Sequence, residues 1–324
     1  MRAKWFAMAV MAMLAAAGAA YASEVGNNPE GAGFRFDFGF ERTQTEVELK
    51  DPAIVYSAVD SGDEGDYYWT ESYTETFDSF DGRETMDKYF LKLAYGFGDK
   101  YSLYAKVGMA RLATEAYNLM MIWDYEYDEY DAVTDEHVYE YYNYDQYLTE
   151  PTRGMGDWDL FYGAGCKAVF YDAGGFKVGM DLQYNQYQLD SEYYMYYDDY
   201  AYGYGPPDAP TYWYIDTESQ QVVESDTTEY QAALVFSKKN DKFSPYGGIK
   251  FSQVETDYTG EYCYHYENYY GDIDEESGAW TLTTTSKDTF GVFVGADYEM
   301  TAKFAISGEF QLGDQTATAI KMTW

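Results

Sequence analysis

KYFLKLAYGFGDKYSLYAKVGM, residues 88–109, sets the fold. In its first half one face carries Tyr89, Leu91, Leu93, Tyr95 and Phe97, and the other Lys88, Phe90, Lys92, Ala94 and Gly96. After the polar break at Gly98–Lys100 the alternation resumes, with Leu103, Ala105, Val107 and Met109 on one side and Ser102, Tyr104, Lys106 and Gly108 on the other. A two-residue period is that of a β-strand, and two such runs around a Gly-containing turn read as a hairpin. One face of this hairpin is wholly uncharged, while the other holds three lysines. A soluble sandwich and a membrane barrel both alternate in this way, so the wider chain has to choose between them.

The same pattern recurs from end to end. Phe34, Phe36, Phe38 and Phe40 alternate with Arg35, Asp37, Gly39 and Glu41. Further uncharged faces run through Trp158–Phe170, Phe176–Tyr184, Ala232–Phe236, Ile249–Phe251, Phe290–Tyr298, Phe304–Leu312 and Ile320–Trp324. This makes ten strands, although eight or twelve also fit where the segments are short. Connections alternate long and short, as in barrels with long external loops and short periplasmic turns. Aromatic residues gather at the strand ends, including Tyr95, Phe97, Phe170 and Trp324 at one end and Phe40, Trp158, Tyr184 and Phe290 at the other. Such girdles mark the two interfaces of a membrane. The expected fold is therefore all-β: a transmembrane, antiparallel, up-and-down β-barrel.

The first residues read as an export signal: basic MRAK, the apolar run WFAMAVMAMLAAAGAA, then small residues around Ala22. Cleavage after Ala22 separates a signal peptide, residues 1–22, from one barrel domain, residues 23–324. No later run approaches the roughly 18 apolar residues of a spanning helix.

The chain of 324 residues has a net charge of −36, and 40 of its residues are tyrosine. That charge argues against nucleic-acid binding, which needs a basic patch. It is also unevenly placed. The outer segments near residues 51–85, 116–155, 190–228 and 257–286 together hold 36 acids and 2 bases. Residues 125–147, YEYDEYDAVTDEHVYEYYNYDQY, are the extreme case. Unpaired carboxylates cannot be buried cheaply, so these segments belong in water. Tyrosine offers rigid contact area with a polar tip, which suits a recognition surface. Alternation within YEYDEYD equally suits hairpins that continue beyond the membrane. Carboxylate clusters would draw Ca²⁺ or Mg²⁺ loosely and bridge to lipopolysaccharide phosphates, although no EF-hand spacing is present.

Between the strands' lipid-facing residues lies the expected lumen set: Arg35, Lys88, Lys92, Lys106, Lys167, Lys177, Lys250 and Lys321 against Asp37, Glu41, Asp157, Asp159, Asp181, Glu229, Asp297 and Glu309. A barrel this narrow fills its interior with side chains, so these groups are expected to pair across the lumen. The rival reading is a narrow, cation-preferring porin below an acidic vestibule. Cys166 is expected on the lipid face and Cys263 in an outer segment, too far apart for a disulfide.

The signal segment, GMGDWDLFYGAGCKAVFY (residues 154–171), PYGGIKFS (245–252) and IKMTW (320–324) resemble small bacterial outer-membrane barrels of the OmpA/OmpX and opacity-protein kind. The resemblance covers about residues 33–324 apart from the outer segments. It implies an outer-membrane location, a monomer, contact with membrane lipid and lipopolysaccharide, and no cofactor. It also implies that Trp324, with Met322 and Ile320, is read by the barrel-assembly machinery, although phenylalanine is the usual terminal residue in that family. Omptin proteases are also ten-stranded outer-membrane barrels, but their Asp-x-His pair is missing around His137 and His265. Asp157 and Asp159 read on strand parity as lumen charge, and no enzyme is expected. The outer segments are expected to serve adhesion, binding of a surface ligand or envelope structure.

Overall fold

A computed structural model describes residues 33–64, 67–98, 100–131, 136–148, 152–196, 201–204, 211–215, 219–267, 273–301, 304–313 and 316–324. The expected signal peptide, residues 1–22, lies outside the described residues. The strands are β1 Gly33–Leu49, β2 Ala53–Glu64, β3 Tyr67–Phe97, β4 Tyr101–Asp131, β5 Glu136–Leu148, β6 Thr152–Met155, β7 Asp159–Ala173 and β8 Phe176–Tyr196. They continue with β9 Ala201–Tyr204, β10 Thr211–Ile215, β11 Ser219–Lys238, β12 Phe243–Glu267, β13 Ile273–Ser286, β14 Phe290–Thr301, β15 Phe304–Leu312 and β16 Thr316–Thr323.

Ten of these close a ring. In spatial order it runs β1, β3, β4, β7, β8, β11, β12, β14, β15, β16 and back to β1, every neighbour antiparallel. The seam pairs Asp37–Gln44 of β1 with Thr316–Thr323 of β16. Phe36 and Trp324 extend it by exchanging two backbone hydrogen bonds, at 2.9 and 3.1 Å. Closure leaves no open sheet edge inside the membrane, where an unpaired amide or carbonyl costs several kcal/mol. The short turns follow from glycine: Gly174 and Gly175 both have positive φ, as a two-residue hairpin turn requires, and Gly98 does the same in the 98–100 turn.

The uncharged faces point outward. Phe34 is 71 % exposed, Leu103 55 %, Val294 62 % and Ile320 60 %. A surface so apolar belongs against lipid, not water. The outer girdle is a row of touching rings, with Phe40 4.9 Å from Tyr89 and Tyr89 5.2 Å from Trp158.

Beyond that girdle the backbone stays in strand. β3 and β4 have 31 residues each, whereas the membrane needs only about 9–11. At about 3.3 Å per residue each is about 100 Å long. The outer segments thus extend the barrel as hairpins: β2, β3, β4 and β5 pair in that order, and β8, β11, β12 and β13 do likewise. YEYDEYD forms the end of β4, with Tyr73, Tyr125 and Tyr142 in register across three strands. On the other side β14, β15 and β16 stop near the girdle. There β13 takes their place between β12 and β1, pairing Ser286, Thr285 and Thr284 with Val47, Glu48 and Leu49.

Orientation can be tested by charge insertion. Leu93 lies on the lipid face midway between Tyr89 and Phe97, so Leu93→Arg should destabilise the inserted barrel by about 2–4 kcal/mol. Phe97→Arg, at the interface, should cost about 0–1 kcal/mol. Urea unfolding in lipid vesicles reads both, and equal costs would overturn the assigned membrane position.

Candidate functional site

The interior is the most elaborated region of the molecule. Its shape is set by small residues that admit large neighbours. The Phe90 ring lies where a Cβ on Gly39 would stand, and a Cβ on Gly108 would come within 2.6 Å of the Phe161 ring. Phe90, Tyr104, Phe161 and Tyr187 are all buried, and Phe161 stacks on Tyr187 at 5.1 Å. These rings occupy much of the cross-section before any charge is counted.

One polar cluster lies toward the short-turn end. Arg35 Nε is 3.7 Å from Asp37 and Lys92 Nζ is 3.6 Å from it. Thr323 donates to Asp37 at 2.8 Å, which ties the cluster to the seam. Lys92 sits 4.2 Å above the Tyr104 ring, and the Tyr104 hydroxyl donates to Asp181 at 2.8 Å. Asp181 also pairs with Lys167 at 3.3 Å.

A second cluster crosses the lumen at the height of the outer girdle. Lys88 on β3 contacts Glu41 and Glu229, each at 3.1 Å. Glu229 stands on β11, four places round the ring of ten from β3. The same carboxylate accepts from the Tyr187 hydroxyl at 2.6 Å and Asn185 at 2.9 Å. Gln231 donates to Glu229, Gln183 donates to Gln231, each at 2.5 Å, and Lys106 donates to Gln183. Buried charge is costly unless paired and hydrogen-bonded, and here Lys88 and Glu229 are each held by more than one group.

The remaining expected lumen residues divide. Lys250 and Glu309 are joined through Gln311, at 2.5 and 2.6 Å. Asp297 accepts from Ser307. Asp159 and Lys321 are buried, and Lys177 pairs with Asp172 at 3.6 Å beside the short turn. Asp157 is exposed, in the irregular stretch Gly156–Trp158 where β6 has ended and β7 has not begun, so strand parity does not assign it to either face. Ile320, Met322 and Trp324 all lie exposed on the outward face at the seam.

Sequence parity overlooked one member. Glu84, on β3 beyond Tyr89, is buried and faces three hydroxyls on strands across the barrel. Tyr258 donates to it at 2.7 Å, Thr284 at 2.9 Å and Thr256 at 3.0 Å. Burial raises its pKa above the ordinary 4.5, and the three hydroxyls offset this only in part. Continuing the alternation back from Lys88 through Met86 would have found it. Two small gaps lie among the described residues. One, of about 10 Å³, is lined by Glu84, Lys88 and Tyr187 among others; another, of about 30 Å³, by Gln183, Gln231 and Lys250 among others. The smaller has room for about one water and the larger for about two.

No known protein family matches the chain, and no curated protein sequence matches it. Among solved structures it is similar to the toluene transporter TbuX of Ralstonia pickettii, at 10 % identity over 94 % of this chain and 93 % of that one, TM-score 0.29. It is also similar to the outer membrane protein OprG of Pseudomonas aeruginosa, at 12 % identity over 92 % and 99 %, TM-score 0.28. The transport unit of the autotransporter AIDA-I from Escherichia coli gives 7 % identity over 94 % and 93 %, TM-score 0.29.

Two predictions follow the chemistry. Lys88→Met removes the cation that Glu41 and Glu229 share, so it should destabilise the barrel by about 3–5 kcal/mol in urea unfolding. Glu229→Gln should cost less, because Lys88 keeps Glu41. Glu84 adds a pH signature. Its folded pKa lies above the unfolded one, so its contribution to stability is lost as pH rises from about 4.5 through the folded value. Glu84→Gln should therefore match or exceed the parent protein in stability at neutral pH and lose that advantage near pH 4.5. A stability difference independent of pH would refute the assignment.

Proposed function

We propose that the chain is an outer-membrane barrel with a plugged lumen, of the OmpA/OmpX-like kind, whose work is done by its acidic, tyrosine-rich hairpins outside the membrane. The reading rests on one observation: aromatic rings and the Lys88–Glu41–Glu229–Tyr187 knot cross the lumen, and two cavities beside them have room for only about one or two waters each. An 8- to 10-stranded ring is already too narrow to stay open once such side chains point inward. What is left to meet other molecules is the outer surface. There, long pairs of β-strands hold tyrosines and carboxylates well clear of the lipid, in a form suited to adhesion or capture of a surface ligand. The barrel works as a monomer without enzymatic activity or a tightly held cofactor. The seam strand with Ile320, Met322 and Trp324 serves as the signal for barrel assembly.

The refolded chain, without residues 1–22, should be electrically silent in a planar bilayer while remaining folded by its heat-sensitive gel mobility. Stable, cation-selective steps would overturn the plugged reading and make the acidic hairpins the mouth of a narrow porin. Shortening the β4–β5 hairpin to a tight turn at residues 121–147 should leave insertion unchanged. Attachment of bacteria carrying the shortened chain to their target surfaces should fall.

A further inference from the structure

The outward-facing bases beyond the girdle are few, and two of them share one acid. Arg42, Asp87 and Arg111 lie side by side across β1, β3 and β4, in register Arg42↔Asp87↔Arg111. Arg111 Nη2 is 2.9 Å from Asp87 and Arg42 Nε is 3.6 Å from it. Two guanidinium groups on one carboxylate leave a net positive spot in a chain whose outer segments hold 36 acids and 2 bases. The arginines differ in freedom. Arg111 is fixed by the Trp158 ring at 5.0 Å, whereas the Arg42 side chain is 60 % exposed. Immediately below, on the same outward face, runs the aromatic ledge Phe40–Tyr89–Trp158. The cationic spot therefore stands at headgroup height, one residue pair above the last rings that contact hydrocarbon.

We propose that Arg42 and Arg111, above this ledge, form a binding site for a membrane lipid whose headgroup ends in a phosphate monoester, with three free oxygens and no cation of its own to offset them. A planar guanidinium meets a phosphate through two parallel N–H···O bonds, and a second one beside it can take another oxygen of the same group. Asp87 holds the pair close against their mutual repulsion, and the Arg111–Trp158 stack holds one of them oriented before the lipid arrives. The ledge supplies an apolar wall for the first carbons of the acyl chains. Lipid bound here would belt the barrel where β1, β3 and β4 leave the membrane. The inference rests on the barrel crossing a membrane and not on what the hairpins bind, so a conducting barrel would leave it intact.

The test uses the full mature chain in non-ionic detergent, with native mass spectrometry as the readout. Lipid A, a bisphosphorylated glycolipid, is titrated beside zwitterionic phosphatidylethanolamine. The parent chain should retain lipid A in preference, and the Arg42→Gln/Arg111→Gln variant should hold it at least about tenfold more weakly. Arg83→Gln, which alters an ion pair with Glu46 higher on the same face, should bind as the parent does. If the double variant fails to insert, Arg42→Gln alone carries the test, since its side chain is largely in solvent. Equal binding by parent and variant, or equal retention of both lipids, would overturn the site. Displacement of lipid A by excess inorganic phosphate would assign the arginines to free phosphate and overturn the lipid.

Discussion

Within hydrocarbon there is no water to satisfy a backbone amide, so the closing of β16 onto β1 conditions everything else in this molecule. Asp37–Gln44 and Thr316–Thr323 come from opposite ends of the chain, and their pairing turns a meander into a ring. Closure at ten strands then fixes how wide the interior is. The seam is also reinforced from within, because the Thr323 hydroxyl reaches Asp37, itself held by Arg35 and Lys92. Backbone closure and interior charge are thus joined at the same strand pair. A fault in either would be felt in both.

A ring this narrow must be filled, and filling it with ions is costly unless each has partners. The protein meets that requirement with direct pairs and with intermediaries. Gln183 and Gln231 carry the chain of contacts from Lys106 to Glu229, and Tyr104 links Lys92 to Asp181. Amides and phenols can donate and accept at once, so they connect charges that the stagger of the strands keeps apart. Higher up, Glu84 accepts hydrogen bonds from three hydroxyls, so the lumen passes from a layer of ion pairs to one where hydroxyls hold the carboxyl group.

The sequence was legible where lipid imposes the pattern. Hydrocarbon tolerates no charge on the outward face, so Phe34–Phe40, Tyr89–Phe97 and Ile320–Trp324 declare themselves by alternation alone, as do the glycine turns. Even the short run at Ile249 and Phe251 sits where alternation puts it, exposed on β12. Legibility ends at the girdle. Above it the outward face meets water in place of hydrocarbon, nothing demands that it be apolar, and tyrosine mixed with acid resembles a loop as much as a strand. The extent of β3, β4 and β12 was therefore hidden, and with it Glu84. At Asp157 parity has no strand to act on, because β6 has ended and β7 has not begun. Cross-lumen partners such as Lys88 and Glu229, 141 residues apart, depend on strand stagger that no local pattern encodes.

The outer hairpins pose the opposite problem to the barrel, since they need strand pairing without hydrocarbon to enforce it. The structure answers by continuing strands whose pairing the membrane has already set. β3 and β4 run on from the Gly98–Lys100 turn to Tyr67 and Asp131; irregularities at Asp81/Gly82 and Phe77/Ser79 shift the register by one residue and then restore it, so the alignment made inside the lipid returns farther out. Each further pair adds cross-strand contact to an existing ladder, for which aromatic residues are well suited. Carboxylates then meet the liability that such ladders create: long exposed edges invite a second copy, and like charge at this density repels it. Tyrosine suits the extension to cross-strand pairing, and acid opposes pairing of its edges with another chain.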